Sequence, residues 1–281
     1  MNINISKEAI IDQINKNNFL PGLYIVATPI GNLADITLRA LSILSLSSII
    51  LCEDTRISKK LTTKYGIKSI LKPFHKFNST REIPSIINRL KDGEIISLIS
   101  DAGTPLISDP GDVLINSCIE EKIDVFSAPG PSSVLGSLVV SGLDISQFIF
   151  LGFIPIEKKL KEQFYEKVIF SNETLVIFES PKRIRKTLSY FVDNIPYRSI
   201  AVIRELTKKN EEVTRGTIES VESIYKKKSV IKGEITLVIE GIKLVKKSQF
   251  SNEEILAFID LYKKTLSDKE ITKKISKKLN I

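Results

Sequence analysis

Four segments of the sequence carry acidic residues, glycine with proline, or both, directly after a short apolar run. They are ATPIGNLADIT (27–37), CEDTR (52–56), SDAGTPLISDPG (100–111) and APGPSSVLGSLVVSG (128–142). Glycine lets a backbone approach a bound molecule closely, and carboxylates and backbone groups hydrogen-bond to its polar atoms. A tight turn or a capped helix start could explain any single segment. Their recurrence favours a crevice for a small polar ligand.

The second half of the chain places charged residues at the ends of predicted strands. These segments are FESPKR (178–183), IRELTKK (203–209) and KGEITLVIEG (232–241). They are candidates for a second wall of the crevice. Two simpler interpretations stay open, namely that Arg204 and Glu205 pair only with each other, and that residues 232–234 form a turn.

The segments of the first half are carried by alternating strands and helices. Apolar runs predict strands at 23–28, 48–52, 69–74, 94–100 and 123–128. This alternation predicts a mostly parallel sheet covered by helices, in which ligands bind beyond the carboxyl ends of the strands. Asp35 is a candidate cap for the helix at 38–45, and Asp54 or Thr55 for the helix closed by Gly66.

In the second half the predicted strands are more closely spaced, which predicts a mixed sheet with an antiparallel edge. The strand candidates are FIFLGF, TLVIFES, YRSIAVIREL, EEVTRGTIESV and GEITLVIEG, with helices at KKLKEQFYEKV and RIRKTLSYFV. We therefore expect two α/β domains with short extensions. The expected divisions are a helical extension at 1–20, domains at 21–129 and 130–242, and a basic helical tail at 243–281.

The predicted tail carries +5 of the formal net charge of +8. Ser251 with Glu254, and Ser267 with Glu270, have the spacing of capping boxes at the starts of two amphipathic helices. Such a pair could be the start of a helix-turn-helix unit. A basic tail suits a polyanionic partner such as nucleic acid, and a solvated basic face is the alternative.

Several familiar kinds of site are excluded by motif. The sequence has no Walker-type phosphate loop, no G-x-G-x-x-G dinucleotide fingerprint and no G-x-S-x-G element. With one histidine, His75, and two distant cysteines, a Cys/His zinc site is implausible, and we expect no metal. No apolar run is long enough to span a membrane, and residues 1–19 do not resemble a signal peptide, so the cytoplasm is the expected compartment.

Seven of these motifs, in chain order, resemble one known family. LYIVATPIGNLADITLRAL, CEDTR, SDAGTPLISDPG, PGPSS, FESPKR, RELTK and KGE…LVIEG, between residues 23 and 241, are similar to the ribosomal RNA small-subunit methyltransferase I family of the tetrapyrrole methylase superfamily. The resemblance implies a two-domain α/β methylase, usually a homodimer, that holds S-adenosylmethionine between its domains. It implies 2′-O-methylation of a cytidine ribose in the decoding region of 16S rRNA. The alternatives are a small-molecule methylase acting on a tetrapyrrole, and a non-enzymatic RNA-binding module.

The resemblance also implies residues that bind the cofactor. They are Pro29, Gly31, Asp101, Ala102, Gly103, Thr104, Ile107, Ser132, Ser133, Phe178, Glu179, Gly233 and Glu234.

For catalysis, the candidates are Glu53, Asp54, Arg56, Arg204 and Glu205. Removal of the weakly acidic 2′-OH proton calls for a base, and we assign Glu53 or Asp54 to that role, with Arg56 and Arg204 binding phosphate. Family members often carry a second histidine where this chain has Phe77, and commonly a histidine where it has Lys182. The candidates for contact with RNA are His75, which is also a rival base, Lys208, Lys273 and Lys277.

Overall fold

The computed structural model describes residues 6–15, 18–108, 111–242, 256, 259–260, 262–263 and 267–272. The chain forms two compact units. The first unit comprises residues 1–136 together with 206–210, and the second unit comprises 137–205 and 211–281. The short segment 206–210 thus belongs to the first unit although it lies in sequence within the second.

The first unit contains a five-stranded parallel sheet, as the strand–helix alternation predicts. Its strands are β1 (Gly22–Val26), β2 (Ile49–Cys52), β3 (Ile70–Pro73), β4 (Ile95–Ile99) and β5 (Val125–Ala128). They lie in the order β3-β2-β4-β1-β5, and every neighbouring pair is parallel. The carboxyl ends of all five strands therefore lie at the same edge of the sheet.

Helices cover both faces of this sheet, namely α2 (Leu38–Leu46), α3 (Thr55–Lys64), α4 (Ser79–Lys91) and α5 (Asp112–Glu120). Helix α1 (Lys7–Asn15) precedes the first strand in the chain, and α6 (Ser133–Ser141) follows the last strand of this sheet. Successive side chains of a strand point to opposite faces, and here both sets are apolar. Leu23 packs in one core cluster with residues of α4 and α5, whereas Tyr24 packs in a second cluster with residues of α2 and α3. The sheet is thus buried on both faces, as parallel sheets generally are.

The caps of α2 and α3 differ in how well the sequence predicts them. Asp54 caps α3 as expected, because its Oδ1 accepts a hydrogen bond of 2.8 Å from the Arg56 N–H. The prediction that Asp35 caps α2 is wrong. Thr37 caps that helix, its Oγ1 accepting from the Ala40 N–H at 3.1 Å, while Asp35 ends a short 3-10 turn. Thr37 is the residue directly before the helix, where a side-chain oxygen reaches the first free N–H groups.

The second unit contains the predicted mixed sheet. Its strands are β6 (Phe148–Phe153), β7 (Thr174–Glu179), β8 (Ser199–Arg204), β9 (Glu212–Thr217) and β10 (Ile235–Ile239), in the order β6-β7-β10-β8-β9. Only β6 and β7 are parallel. The last strand is central, since Leu237 pairs with Ile177 of β7 and with Val202 of β8. All five residues of β10 are buried, which fits its central place.

Three helices pack in one apolar cluster against this second sheet. They are α7 (Lys158–Phe170), α8 (Ile184–Asn194) and α9 (Ile218–Lys227). The prediction of a strand through 211–221 is wrong beyond Thr217, where α9 begins. The Thr217 hydroxyl accepts from the Ser220 N–H, and Ile218, Val221 and Tyr225 fall on one buried helical face. A cap followed by apolar residues at helical spacing overrides the β-branched character of this stretch.

The described part of the tail packs within the second unit. Tyr262 and Ile271 are buried against Ile169 and Phe170, and the Tyr262 and Phe170 rings stack with centroids 5.7 Å apart. The second predicted capping contact is confirmed, because the Glu270 carboxylate accepts from the Ser267 N–H at 3.0 Å. Ser251, Glu254, Lys273 and Lys277 lie outside the described residues. Within the described part of the chain, no helix has both the length and the apolar character needed to cross a membrane.

The corrected cap can be tested by stability measurements. We expect Thr37→Ala to lower the free energy of unfolding by about 1 kcal/mol, because the Ala40 N–H loses its acceptor. Thr37→Ser keeps the acceptor and should stay near the wild-type value, as should Asp35→Ala. Urea unfolding followed by circular dichroism measures all three. A larger loss for Asp35→Ala than for Thr37→Ala would contradict the assignment.

Candidate functional site

The loops that follow β1 and β4 are joined by a pair of backbone hydrogen bonds. The Thr28 N–H donates to the Gly103 carbonyl at 2.8 Å, and the Gly103 N–H donates to the Thr28 carbonyl at 3.0 Å. The Thr28 hydroxyl adds a bond of 3.1 Å to the Ser100 carbonyl. Two of the predicted ligand loops therefore meet at the carboxyl edge of the first sheet.

The other two loops are tied to the same point. The Asp54 N–H, after β2, donates to Asp101 Oδ1 at 3.1 Å. The Thr104 hydroxyl donates to the Pro131 carbonyl, after β5, at 3.3 Å. All four of the predicted ligand segments of the first half are thus brought into contact. The chain of contacts runs from CEDTR through the 101–104 segment to both ATPIG and PGPSS.

Gly103 occupies a backbone conformation that only glycine adopts at little cost. Its φ is +83°, and a Cβ placed there would lie 3.4 Å from Ile30 Cγ2. Within the same segment Asp101 and Thr104 are half-buried, while Ala102 and Ile107 are exposed. Polar groups of this loop are therefore presented at the sheet edge rather than enclosed in the core.

Two residues of this loop were not singled out by the sequence. Leu106 and Ser108 have φ values of +74° and +72°, which non-glycine residues adopt only at a cost in free energy. Among the described residues only five non-glycine residues have positive φ, and two more of them, Glu205 and Thr207, lie in the segment after β8. Such strain concentrates at functional sites, so it supports a functional role for both loops. No pattern of residue types predicts it.

The carboxylates of the CEDTR loop differ in their electrostatic state. Arg56 binds the Asp54 carboxylate with both Nη2, at 2.6 Å, and Nε, at 3.0 Å, and these hydrogen bonds lower the pKa of Asp54 to about 2. Burial raises the pKa of Asp101, and the hydrogen bond from the Asp54 N–H opposes that shift. Glu53 is exposed. Asp54 is therefore held as a charged carboxylate, while Glu53 is accessible to a ligand.

Gly31 is needed because another segment of the first unit lies against it. A Cβ at this position would stand 2.4 Å from Lys208 Cγ, and the adjacent Asn32 N–H donates to the Thr207 hydroxyl at 3.1 Å. Pro29 is buried beneath the loop. The predicted residue Lys208 is therefore brought beside the predicted residue Gly31.

The segment after β5 begins α6 as predicted. The Ser132 carbonyl accepts from the Gly136 N–H at 2.8 Å, and its hydroxyl accepts from the Leu135 N–H at 3.4 Å. Ser133 is the first residue of the helix. Both serines are half-buried, and they directly follow the Pro131 carbonyl that accepts from Thr104.

His75 lies in the turn that follows β3. Its backbone N–H donates to Asn78 Oδ1 at 2.8 Å, and its ring meets Phe77 edge-on with centroids 6.1 Å apart. The Nδ1 atom is buried, and the described residues provide it with no hydrogen-bond partner. A buried polar atom without a partner is uncommon in native structures and is a candidate for a functional contact.

In the second unit, Phe178 and Glu179 end β7. Phe178 packs edge-to-face against Phe150 and Phe153, with centroids 4.8 Å and 5.3 Å away. The Glu179 carboxylate is fully enclosed and accepts from the Thr187 hydroxyl at 2.6 Å and from Arg183 Nε at 2.9 Å. It also accepts from the backbone N–H that follows it. The carboxylate of Glu179 therefore holds the end of the strand in place.

Three more predicted residues meet where β8 ends and β10 begins. The Glu205 N–H donates to the Glu234 carbonyl, and the Glu234 N–H donates to Glu205 Oε1, both at 3.0 Å. Gly233 has φ +91°, and a Cβ there would lie 2.3 Å from Glu205 Cδ. The Glu205 carboxylate therefore occupies the space that glycine leaves.

Arg204 does not pair with Glu205, so that simple interpretation of the sequence is wrong. Its Nη2 and Nε bind Glu212 Oε2 at 2.9 Å and 3.0 Å. Lys228 also contacts Glu212, and the two cations lower the pKa of this carboxylate, with Lys228 the larger cause. Glu212 was not predicted, because the pairing depends on strand register, in which Arg204 lies opposite Glu212.

Within the described residues, no three His, Cys, Asp or Glu side chains are grouped so that they could hold a metal ion. The polar groups that converge in each unit are backbone amides and carbonyls, carboxylates and hydroxyls. Such groups recognise the hydroxyls, amines and ring nitrogens of a small polar ligand.

Solved structures of similar fold were found among methyltransferases and related enzymes. The match to diphthine synthase has a TM-score of 0.62 at 12% identity and covers 78% of this chain and 89% of that one. The match to cobalt precorrin-4 methyltransferase has a TM-score of 0.58 at 16% identity and covers 78% and 94%. At these identities the likeness shows the fold, and it confirms the predicted tetrapyrrole methylase type of α/β architecture.

Sequence comparison gives closer relatives. Residues 22–222 match the family model described as Tetrapyrrole (Corrin/Porphyrin) Methylases. Several relatives carry the name ribosomal RNA small subunit methyltransferase I. The relative from Hydrogenobaculum sp. is 47% identical, and the match covers 77% of this chain and 94% of the relative. The relative from Rickettsia prowazekii is 41% identical, and the match covers 89% of this chain and 88% of the relative. This chain therefore belongs to the tetrapyrrole methylases and, within them, to the ribosomal RNA small-subunit methyltransferase I family of methyl-transferring enzymes.

Proposed function

We propose that this protein uses S-adenosylmethionine to methylate the ribose 2′-hydroxyl of a cytidine in the decoding region of 16S rRNA. Membership of a methyltransferase family implies the cofactor, and the names of the relatives support a substrate in the small-subunit rRNA. The observation that carries the proposal is the contact of four ligand-type loops at one sheet edge, anchored by the Thr28–Gly103 pair.

The donor set of the first unit fits this cofactor. S-adenosylmethionine presents an amino acid end, ribose hydroxyls and an adenine edge, which backbone groups, carboxylates and hydroxyls can recognise. We assign this role to the carboxylate of Asp101, the backbone of the 102–104 segment, and the hydroxyls of Ser132 and Ser133, with Pro29, Gly31 and Ile107 shaping the surface. When bound, S-adenosylmethionine supplies a methyl group that its sulfonium centre activates for displacement.

The second unit carries the remaining proposed cofactor residues. Phe178 offers an aromatic ring, and Gly233 and Glu234 offer backbone beside the Glu205 carboxylate. We assign Glu179 an indirect role in which its carboxylate does not itself contact the cofactor, because the enclosed carboxylate holds the backbone that follows β7.

Glu53 is the better of the two proposed bases. Asp54 is bound by Arg56, and a carboxylate with a pKa of about 2 holds a proton weakly at neutral pH. Glu53 is exposed beside it, at the end of β2. His75, with its unpartnered Nδ1, stays the rival. Positioning of the hydroxyl against the methyl group supplies much of the rate, since oriented reactants gain up to about 7–11 kcal/mol.

Arg56 and Arg204 keep their proposed role in phosphate binding, and each is held in place by a carboxylate, Asp54 and Glu212 respectively. Lys208, beside Gly31, is a further proposed contact to RNA, as are Lys273 and Lys277 outside the described residues. We further propose a homodimer that works in the cytoplasm, where a ribosomal substrate is found.

The alternative is a methylase for a small tetrapyrrole-type molecule, and the likeness of the fold to cobalt precorrin-4 methyltransferase keeps it open. The two are separated by offering both kinds of acceptor. We expect tritiated methyl transfer to small ribosomal subunits that lack the modification, with the label on one cytidine ribose and resistant to alkaline cleavage. Transfer to a porphyrinoid but not to the subunits would contradict the proposal.

A paired substitution tests the base. We expect Glu53→Gln to lower kcat by about 100-fold or more, because proton removal loses its acceptor. Asp54→Asn should lower kcat less than Glu53→Gln does, because we assign Asp54 the structural roles of orienting Arg56 and capping α3 and not proton removal. Full rates in both variants would refute the assignment.

The structural role of Asp54 has its own readout. The pKa of Asp54 is lowered in the folded protein, so its ion pair with Arg56 stabilises the folded state at neutral pH. This stabilisation is lost as the pH falls from about 4 towards 2 and Asp54 becomes protonated. The melting temperature of Asp54→Asn should therefore lie below wild type at pH 7, and the two should converge at low pH.

Gly103 offers a test of the cofactor loop with a matched control. Gly103→Ala should raise the Kd for S-adenosylmethionine at least tenfold, measured by calorimetry, because the strained backbone must move. Gly93 has the same φ of +83°, and a Cβ there would meet nothing within 4 Å. Gly93→Ala should therefore cost a similar amount of stability, about 1–2 kcal/mol, and leave the Kd unchanged. Equal Kd values for the two variants would contradict the site.

A further inference from the structure

One short stretch of the chain carries as much net positive charge as the whole chain. Residues 55–81, here called the cationic segment, contain eight Lys or Arg and no Asp or Glu, so they carry +8. The net charge of the whole chain is also +8, and the remaining residues therefore sum to zero. The eight cations are Arg56, Lys59, Lys60, Lys64, Lys68, Lys72, Lys76 and Arg81.

The fold exposes this charge at one side of the first unit. The segment forms α3, the edge strand β3, the turn after it and the first residues of α4. Helix α3 buries Ser58, Leu61 and Thr62 and leaves its lysines exposed on the other face. Lys59 and Lys68 line a groove of about 550 Å³ between α3 and β3.

Most of these cations lack a carboxylate partner within the described part of the chain. Arg56 is bound by Asp54, and Lys72 and Arg81 share Glu82. For the other five, the described residues provide no ion pair. Lysine and proline on an edge strand can prevent that strand from pairing with a strand of another molecule, and this explains Lys72 and Pro73 of β3. That explanation does not extend to α3, which has no free strand edge to protect.

An exposed aromatic ring stands in the same segment. The Phe77 side chain is 96% exposed, between Lys76 and the start of α4. The turn that presents it is held by hydrogen bonds from the His75 N–H to Asn78 Oδ1 and from Asn78 Nδ2 to the Pro73 carbonyl, at 2.8 Å and 2.9 Å. Burial in the apolar core does not explain an aromatic side chain at this position.

The turn that carries Phe77 also adjoins the candidate site. Pro73 pairs with Cys52, the residue before Glu53, and the Phe74 N–H donates to the Cys52 carbonyl at 2.8 Å. The turn that carries Phe77 follows β3, and the CEDTR loop follows the neighbouring strand β2. Both therefore lie at the same edge of the first sheet. The cationic surface is continuous with the proposed catalytic loop.

We propose that the cationic segment is the docking surface for the RNA substrate, with Phe77 stacking on an unpaired base. Lysines bind the phosphate backbone without regard to sequence, and aromatic rings stack on the exposed bases of single-stranded loops. A positively charged surface that also carries an exposed aromatic ring is typical of proteins that bind single-stranded RNA. The bases of a duplex are already stacked and would not be available to the ring. This inference rests on the proposed rRNA substrate and names the surface that receives it.

The stacking role is tested with the full-length protein and small ribosomal subunits that lack the modification. Phe77→Ala should raise KM for the subunits by about 5- to 100-fold, the value of one stacked base, and leave kcat unchanged. Phe77→Tyr keeps the ring and should restore KM. Because the side chain is exposed, the melting temperature of both variants should equal that of wild type.

The phosphate contacts are tested by salt dependence. We expect the triple variant Lys59→Gln, Lys60→Gln, Lys68→Gln to bind fluorescent 16S rRNA more weakly and to reduce the slope of log K against log salt by about 2. The matched control removes three exposed lysines of the second unit, as Lys158→Gln, Lys159→Gln, Lys186→Gln, and should leave the slope unchanged.

The outcomes separate this inference from the proposed function. If wild type methylates the subunits and the Phe77 and triple-lysine variants match it, the docking surface is wrong and the proposed function stands. Equal losses in the control variant would also overturn it. If Phe77→Ala changes the subunit stoichiometry in sedimentation, the ring is a contact between protein chains. If wild type modifies no ribosomal RNA, both proposals fail.

Discussion

Two backbone hydrogen bonds between Thr28 and Gly103 join the loops of the first unit to which we assign cofactor binding. They are possible because β1 and β4 are parallel neighbours, so the loops that leave them start at the same edge of the sheet. Gly103 must adopt a positive φ to make them, and its neighbours then meet Asp54 on one side and Pro131 on the other. One local conformation thereby positions four segments that are distant in sequence.

The acidic residues near the ends of the strands differ in whether a cation is bound to them, and this difference suits them to different roles. Asp54 and Glu212 are each bound by cations that lower their pKa, and each in turn orients an arginine. Glu179 is enclosed and fixes backbone. Asp101, whose pKa is raised by burial, and the exposed Glu53 are the two for which we propose contact with a ligand. Residue type alone would not separate these roles, because the partners come from strand register and loop contacts.

The sequence predicts most of the fold and the loops of the first unit that meet at one sheet edge, because both depend on local patterns. Apolar runs followed by glycine and acidic residues identify the strands and the loops that leave them. The cap at Thr37 and the start of α9 at Ile218 were missed, since helical spacing and strand propensity compete over such short stretches. The strained φ values of Leu106 and Ser108, and the pairing of Arg204 with Glu212, arise only from long-range contacts.

The central place of β10 has a consequence for the order in which the protein acquires its structure during synthesis. The first sheet has all of its strands once residue 128 has been made, whereas the second lacks the strand that joins β7 to β8 until residue 239 has been added. Domains generally fold from the N-terminus as the chain emerges. Premature termination between residues 217 and 235 would leave the first sheet with all of its strands and the second as two separate pairs, β6 with β7 and β8 with β9.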